Sequence, residues 1–175
     1  RIAEAARDAG AAVAMTRPDH PSGTDRVAEA VRDLDADIIV NVQGDEPLIE
    51  PELVDELAEA LASPDSRWDM ATAACPLDSL EDYRRSSVVK VVTAADGAAL
   101  YFSRAPIPHR RDASQDDPLP PDLCWRHVGV YSYRRACLER LVREPPCALE
   151  QAEKLEQLRA QYLGFRIKVL RVPPA

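Results

Sequence analysis

The feature that most constrains this chain is the stretch IIVNVQGDEPLIEP, residues 38–51, a short apolar run that stops at an acidic, proline-punctuated turn. Ile38, Ile39, Val40 and Val42 form the β-branched pattern of a central strand covered on both faces. Covering both faces requires helices, and the chain supplies them in alternation. An alanine-rich helical pattern runs from Arg1 to Gly10, a glycine placed just past the last turn. AAVAMT (11–16) reads as a strand and RPDHPSG as a loop, and TDRVAEAVRDL (24–34) has helical spacing with Thr24 as a possible cap. Pro51 opens PELVDELAEALA in the first-turn position that suits proline. MATAACPL is the next strand and LEDYRR a short helix. Two β-rich runs then bracket Asp96-Gly97, a hairpin signal. After a Pro/Asp-rich loop from Ala105 to Leu123, RHVGVYSYR alternates as a strand. One helix is expected over residues 134–143, another through LEQAEKLEQLRAQYLG to Gly164, and a last strand over 165–172. This order predicts an α/β fold, a three-layer α/β/α sandwich with a mostly parallel sheet that the hairpin makes mixed. No repeat or linker divides it, so residues 1–175 read as a single domain.

At 46% hydrophobic and 30% charged, the chain has the material for one real core. Nothing in it is long and apolar enough for a membrane span, and it does not open like a signal peptide. A net charge of -8 disfavours nucleic acid as the main partner, because phosphate binding needs a concentrated basic face. Cys75, Cys124, Cys137 and Cys147 have no zinc-like spacing; as free thiols they suit a reducing cytoplasm. The chain starts inside a helical pattern without a cap and stops just after a strand, so both ends read as cut from a larger domain.

Ligands of open α/β sheets sit beyond the carboxyl ends of the strands. Asp45, delivered there after Gly44, is a metal or substrate candidate, whereas Asp45 and Glu46 can equally solvate the turn before the next helix. Gln43 could bridge ligand hydroxyls or satisfy neighbouring backbone. In HPSGTDR, Ser22, Gly23, Thr24 and Arg26 could read a base edge or phosphate; capping a helix is the alternative, and the two can coexist. Arg104 has the planar fork that grips a carboxylate, unless it is a surface arginine like Arg110 and Arg111. His127 and Tyr131 share one face of their strand, which suits either ligand contact or satisfied core residues. Glu150 and Gln151 begin a helix and suit hydroxyl recognition, although Glu150 also complements the helix's positive end.

Taken together, TRPDHPSGTDRVAEAV, NVQGDEPLIEP, VVKVV, ALYFSRAPIP, RHVGVYSYR and LEQAEKLEQLRAQYLGFRIKV resemble the 3-deoxy-manno-octulosonate cytidylyltransferase family, in the family's order and over nearly the whole chain. The resemblance implies a Rossmann-like, nucleotide-diphosphosugar-transferase fold. It implies a cytoplasmic enzyme that activates the sugar acid Kdo with CTP, giving CMP-Kdo and pyrophosphate for lipopolysaccharide biosynthesis. Asp45 would ligate Mg²⁺ at the α-phosphate, with Gln43 beside it at the reacting centre. Ser22, Gly23, Thr24 and Arg26 would line the nucleotide. Gln43, Arg104, His127, Tyr131, Glu150 and Gln151 would hold the sugar acid. The partners implied are CTP and Kdo, without nucleic acid or membrane insertion, in a homodimer. The resemblance also places a phosphate loop ahead of Arg1 and a second acidic metal ligand beyond Ala175. A cytidylyltransferase for another sugar acid, such as a sialic acid, and a non-catalytic α/β binding module are the alternatives.

Overall fold

The computed structural model describes residues 1–44, 49–114 and 116–174. Their contacts gather into two compact units, Arg1–Ala36 and Asp37–Ala175. In the first, α1 (Ile2–Asp8) ends ahead of Gly10, whose φ of 82° is the left-handed geometry glycine takes without strain. The second helix, α2 (Gly23–Ala30), is capped by Ser22 rather than Thr24. Ser22 is extended, accepts the Asp25 N–H at 3.3 Å and donates to the Asp25 carboxylate at 2.7 Å. Thr24 lies inside the first turn, buried. The expected strand at AAVAMT does not form. An apolar run becomes a strand only when a neighbour supplies its hydrogen bonds, and none of the described strands pairs with it; Met15 stays exposed.

The second unit is built on a six-stranded sheet. Its strands are β1 (Ile38–Val42), β2 (Met70–Pro76), β3 (Lys90–Thr93), β4 (Ala99–Ser103), β5 (Trp125–Arg134) and β6 (Ile167–Arg171). The ten-residue β5 is its axis. β2 runs antiparallel along one side of it, while β3 and then β1 pair antiparallel with the other, at opposite ends. β6 lies parallel to β2, and β4 closes the hairpin with β3 at Asp96-Gly97. The sheet is therefore mixed, as expected, but mostly antiparallel rather than mostly parallel. The reason is one of position. β1, β2, β3 and β6 share a direction, as strands returned by helices should, yet β5 runs against them from the middle. β1, expected to be central, pairs only with β5 among the described residues, and Val42 is exposed at its end.

Both faces of the sheet are covered. On one, α3 (Pro51–Ala62) presents Leu57 and Leu61 to Ala71, Ala73 and Val130, with Ile38, Val40 and Leu170 around them. The buried Ser132 hydroxyl donates to the Leu57 carbonyl at 2.6 Å and ties helix to sheet. The opposite face buries Met70, Thr72, Phe102, Tyr133, Ile167 and Val169. α4 (Leu80–Arg84), α5 (Arg135–Arg143), α6 (Ala148–Glu153) and α7 (Gln157–Tyr162) complete the unit. The last two replace the single helix expected before Gly164. Lys154, at φ 55°, turns the backbone left-handed and breaks the run.

Candidate active site

Strand register decides which side chains meet. Tyr131 pairs with Thr72 of β2 on one side and Asn41 of β1 on the other, and His127 pairs with Ala74. Alternation then puts Asn41, Thr72, His127 and Tyr131 on the face opposite α3. The rings form a continuous strip there: Phe102 meets His127 edge-on at 5.2 Å, His127 meets Tyr131 at 5.3 Å, and Tyr131 meets Tyr133 at 6.0 Å. Burial pulls the His127 imidazole down to about 4, so it is neutral at physiological pH. Burial, then Tyr133 and Glu156, raise the Tyr131 phenol well above its ordinary value, so it remains a hydroxyl. Gln43 leaves β1 two residues beyond Asn41, just after the last ladder pair, and is exposed.

At the end of β4, Arg104 is held but not neutralised. Its guanidinium donates to three backbone carbonyls, those of Glu153 at 2.7 Å, Ser86 at 3.1 Å and Lys154 at 3.4 Å. Among the described residues no carboxylate pairs with it, so its charge remains for an anion. Glu153 spends its carboxylate on strapping this corner: it accepts the Ser103 hydroxyl at 2.6 Å and the Arg104 N–H at 2.9 Å. Beneath it, the fully buried Lys90 ammonium donates to the carbonyls of Val88 and Arg104, each at 2.6 Å, and Arg85 at 3.0 Å. Burial lowers the Lys90 pKa, and those carbonyls are what make a buried ammonium tolerable.

The expected pair Glu150 and Gln151 belongs to a repeated tripeptide whose two copies have different surroundings. The chain contains Leu-Glu-Gln twice, at 149–151 and 155–157. Glu150 is buried, and both of its oxygens accept from Arg159 at 2.8 Å. Arg159 also holds the carbonyls of Leu141 and Glu144, so Glu150 ties α6 and α7 to the end of α5. Gln151 is exposed, its amide reaching only the Pro146 carbonyl at 3.4 Å. The second copy straddles the start of α7: Glu156 is near enough for its charge to help raise the Tyr131 pKa, and α7 is joined to β4 by the Gln161 amide on the Ala99 carbonyl at 3.0 Å. Gln157 is buried, and its side-chain N–H₂ has no hydrogen-bond partner among the described residues. A buried donor left unmet costs about 1–3 kcal/mol, which a ligand acceptor would recover.

In the first unit, Ser22 is the helix cap described above, and Gly23 has open space where a side chain would stand. Arg26 is spent on its own loop, donating to the Thr16 hydroxyl at 3.0 Å and the carbonyls of Arg17 and Pro18 at 2.8 and 3.1 Å. Glu29 braces the same loop through Arg17 and His20. Asp45 and Glu46 lie outside the described residues. Among the described residues no three acidic, histidine or cysteine side chains cluster to hold a metal ion.

Glu156, Gln157, Thr72 and Lys90 were missed in sequence. The two Leu-Glu-Gln runs are identical, and nothing local says which one lies nearer Tyr131. Residues six apart on one helix would point about 120° apart, so they could not share one face. Thr72 and Lys90 did leave a signal: a hydroxyl inside MATAACP and an ammonium inside VVKVV must find partners once their strands are buried.

A family model described as cytidylyltransferase matches residues 1–167. The chain is 50% identical to a Geobacter metallireducens 3-deoxy-manno-octulosonate cytidylyltransferase, over 97% of this chain and 68% of that protein. It is 45% identical to the Bdellovibrio bacteriovorus protein of the same name, over 99% of this chain and 69% of the relative. A solved structure of CMP:2-keto-3-deoxy-manno-octonic acid synthetase complexed with CTP superposes with a TM-score of 0.87 at 39% identity, over 99% of this chain and 68% of the other.

Proposed function

This chain belongs to the 3-deoxy-manno-octulosonate cytidylyltransferases, and we propose that its aromatic face is where the sugar acid Kdo is held for activation by CTP. The reaction is a nucleotidyl transfer. A sugar hydroxyl oxygen attacks the α-phosphorus of CTP and gives up its proton to solvent, the bond from that phosphorus to the oxygen bridging to the β-phosphate breaks, and pyrophosphate leaves with CMP-Kdo formed. Displacement of this kind is chiefly positioning and charge neutralisation.

The observation that carries the reading is the pairing of an un-neutralised cation, Arg104, with a face of neutral hydrogen-bonding groups. A sugar acid has one carboxylate and many hydroxyls. Arg104 suits the carboxylate, and His127, the Tyr131 hydroxyl, Gln43 and the Gln157 amide suit the hydroxyls. Glu156 joins this set in place of Glu150, and Gln157 in place of Gln151. In the first unit, Ser22, Gly23 and Thr24 are the proposed nucleotide contacts, and Arg26 shapes their loop. Enzymes of this kind depend on a metal ion. Mg²⁺ is the proposed one, because the hard carboxylate oxygen of Asp45 suits it, and it would neutralise charge at the phosphates. A cytoplasmic setting accords with four free cysteines, all buried. The homodimer rests on the family resemblance alone.

The test is pyrophosphate release from CTP, with Kdo or a sialic acid as acceptor, with and without chelator. Release with Kdo that chelator abolishes and Mg²⁺ restores is expected. Preference for the sialic acid would overturn the substrate assignment, and turnover in excess chelator would overturn the metal.

A further inference from the structure

Thr72 is completely buried in the middle of β2, and its hydroxyl stands between two groups of different character. Oγ1 lies 2.7 Å from the Val130 carbonyl and 2.9 Å from His127 Nε2, with the Val128 carbonyl farther off at 3.4 Å. A carbonyl oxygen can only accept, and a threonine hydroxyl has one proton. That proton goes to Val130 along the shortest contact. The remaining lone pairs of Oγ1 must then receive a proton from Nε2, which makes Nε2 the protonated ring nitrogen.

Resting on the sugar-acid reading of this face, we propose that Thr72 is a positioning residue that fixes His127 in its Nε2–H tautomer and leaves Nδ1 as a hydrogen-bond acceptor for a hydroxyl of the bound sugar acid. Phe102 and Tyr131 both pack against the imidazole, at 5.2 and 5.3 Å between ring centroids, and restrain the ring plane. The ring's neutrality keeps Nδ1 bare. An Nδ1 acceptor takes a hydroxyl proton but offers nothing to a carboxylate, which has only acceptors. Arg104, donors only, has the reverse preference. Together they would orient an asymmetric ligand, carboxylate toward the arginine and hydroxyl toward the histidine, before any phosphate is engaged.

The experiment is a ¹⁵N histidine ring-nitrogen spectrum of the whole protein near neutral pH, first without ligand and then with Kdo. The parent should show His127 with Nε2 protonated and Nδ1 bare, and Kdo should shift the Nδ1 resonance. Thr72→Ser should keep that tautomer. Thr72→Val, similar in shape but without the hydroxyl, should lose the tautomer preference and raise KM for Kdo about tenfold with kcat little changed. A protonated Nδ1 in the unliganded parent overturns the proposal, as does a Thr72→Val protein with an unchanged spectrum. Should Thr72→Val not fold, the parent and Thr72→Ser spectra still decide the tautomer. The expected tautomer with an Nδ1 that ignores saturating Kdo would overturn the ligand contact, and with it the sugar-acid reading, leaving only a structural Thr72–His127 bond.

Discussion

At the residue scale, His127 shows what burial does to a group that ordinarily titrates near physiological pH. Its ordinary value is 6.5, and desolvation lowers it to about 4 in the folded chain. The sign follows from proton counts. Between these values the unfolded chain binds a proton at this site and the folded chain does not, so stability falls as pH drops through the window and is fully present above it. The nearby Tyr131 hydroxyl stays neutral throughout, and Glu156 is the neighbouring charge that could modify the shift. His127→Gln keeps an amide near the position of Nε2 but cannot titrate. Melting temperatures measured from pH 6.5 down to about 4 should fall less steeply for His127→Gln than for the parent. Parallel curves would show that the imidazole is not desolvated.

At the element scale, what was legible in sequence and what was not divide along physical lines. Pro51 and the apolar stripe of PELVDELAEALA gave α3 with the bounds at which it occurs, because propensity and burial agree there. Asp96-Gly97 gave the hairpin because type and position of a turn are local properties. Gly97 takes φ 82°, and a Cβ placed there would stand 2.7 Å from the Lys168 ammonium. That ammonium ends a flexible chain and can move, so backbone strain should dominate. Gly97→Ala is expected to cost about 1–2 kcal/mol, read by denaturant unfolding; no measurable cost would contradict the turn geometry. AAVAMT failed as a strand because pairing is not local. The break at Lys154 was hidden because the Glu150–Arg159 pair that accompanies it joins residues whose proximity depends on the break itself. Glu150→Ala would leave the Arg159 guanidinium buried and unmatched, so it should destabilise by about 3 kcal/mol or more. Calorimetry or denaturant unfolding checks this, and a loss below about 1 kcal/mol would show the pair to be dispensable.

At the scale of the whole chain, alternation of strand and helix gave the common direction of β1, β2, β3 and β6. It could not reveal that β5 would lie among them, because insertion order in a sheet depends on contacts far apart in sequence. That insertion is also what brings the residues of the proposed site together. β5 carries His127 and Tyr131 between Thr72 on one side and Asn41 on the other, and Arg104 arrives at the end of β4, beyond β3. The family resemblance named most of these residues, and for the last pair we propose the second copy of a repeated tripeptide, Glu156 and Gln157, in place of the expected Glu150 and Gln151. The most direct measurement of the account is therefore KM for Kdo in two single variants, Gln157→Ala and Gln151→Ala, with CTP saturating and pyrophosphate release as the readout. Loss of one neutral hydrogen bond to the sugar should raise KM for Kdo about tenfold in Gln157→Ala, while Gln151→Ala stays within about twofold of the parent. A larger effect at Gln151, or none at Gln157 in a folded protein, would contradict the placement of the sugar acid on the aromatic face.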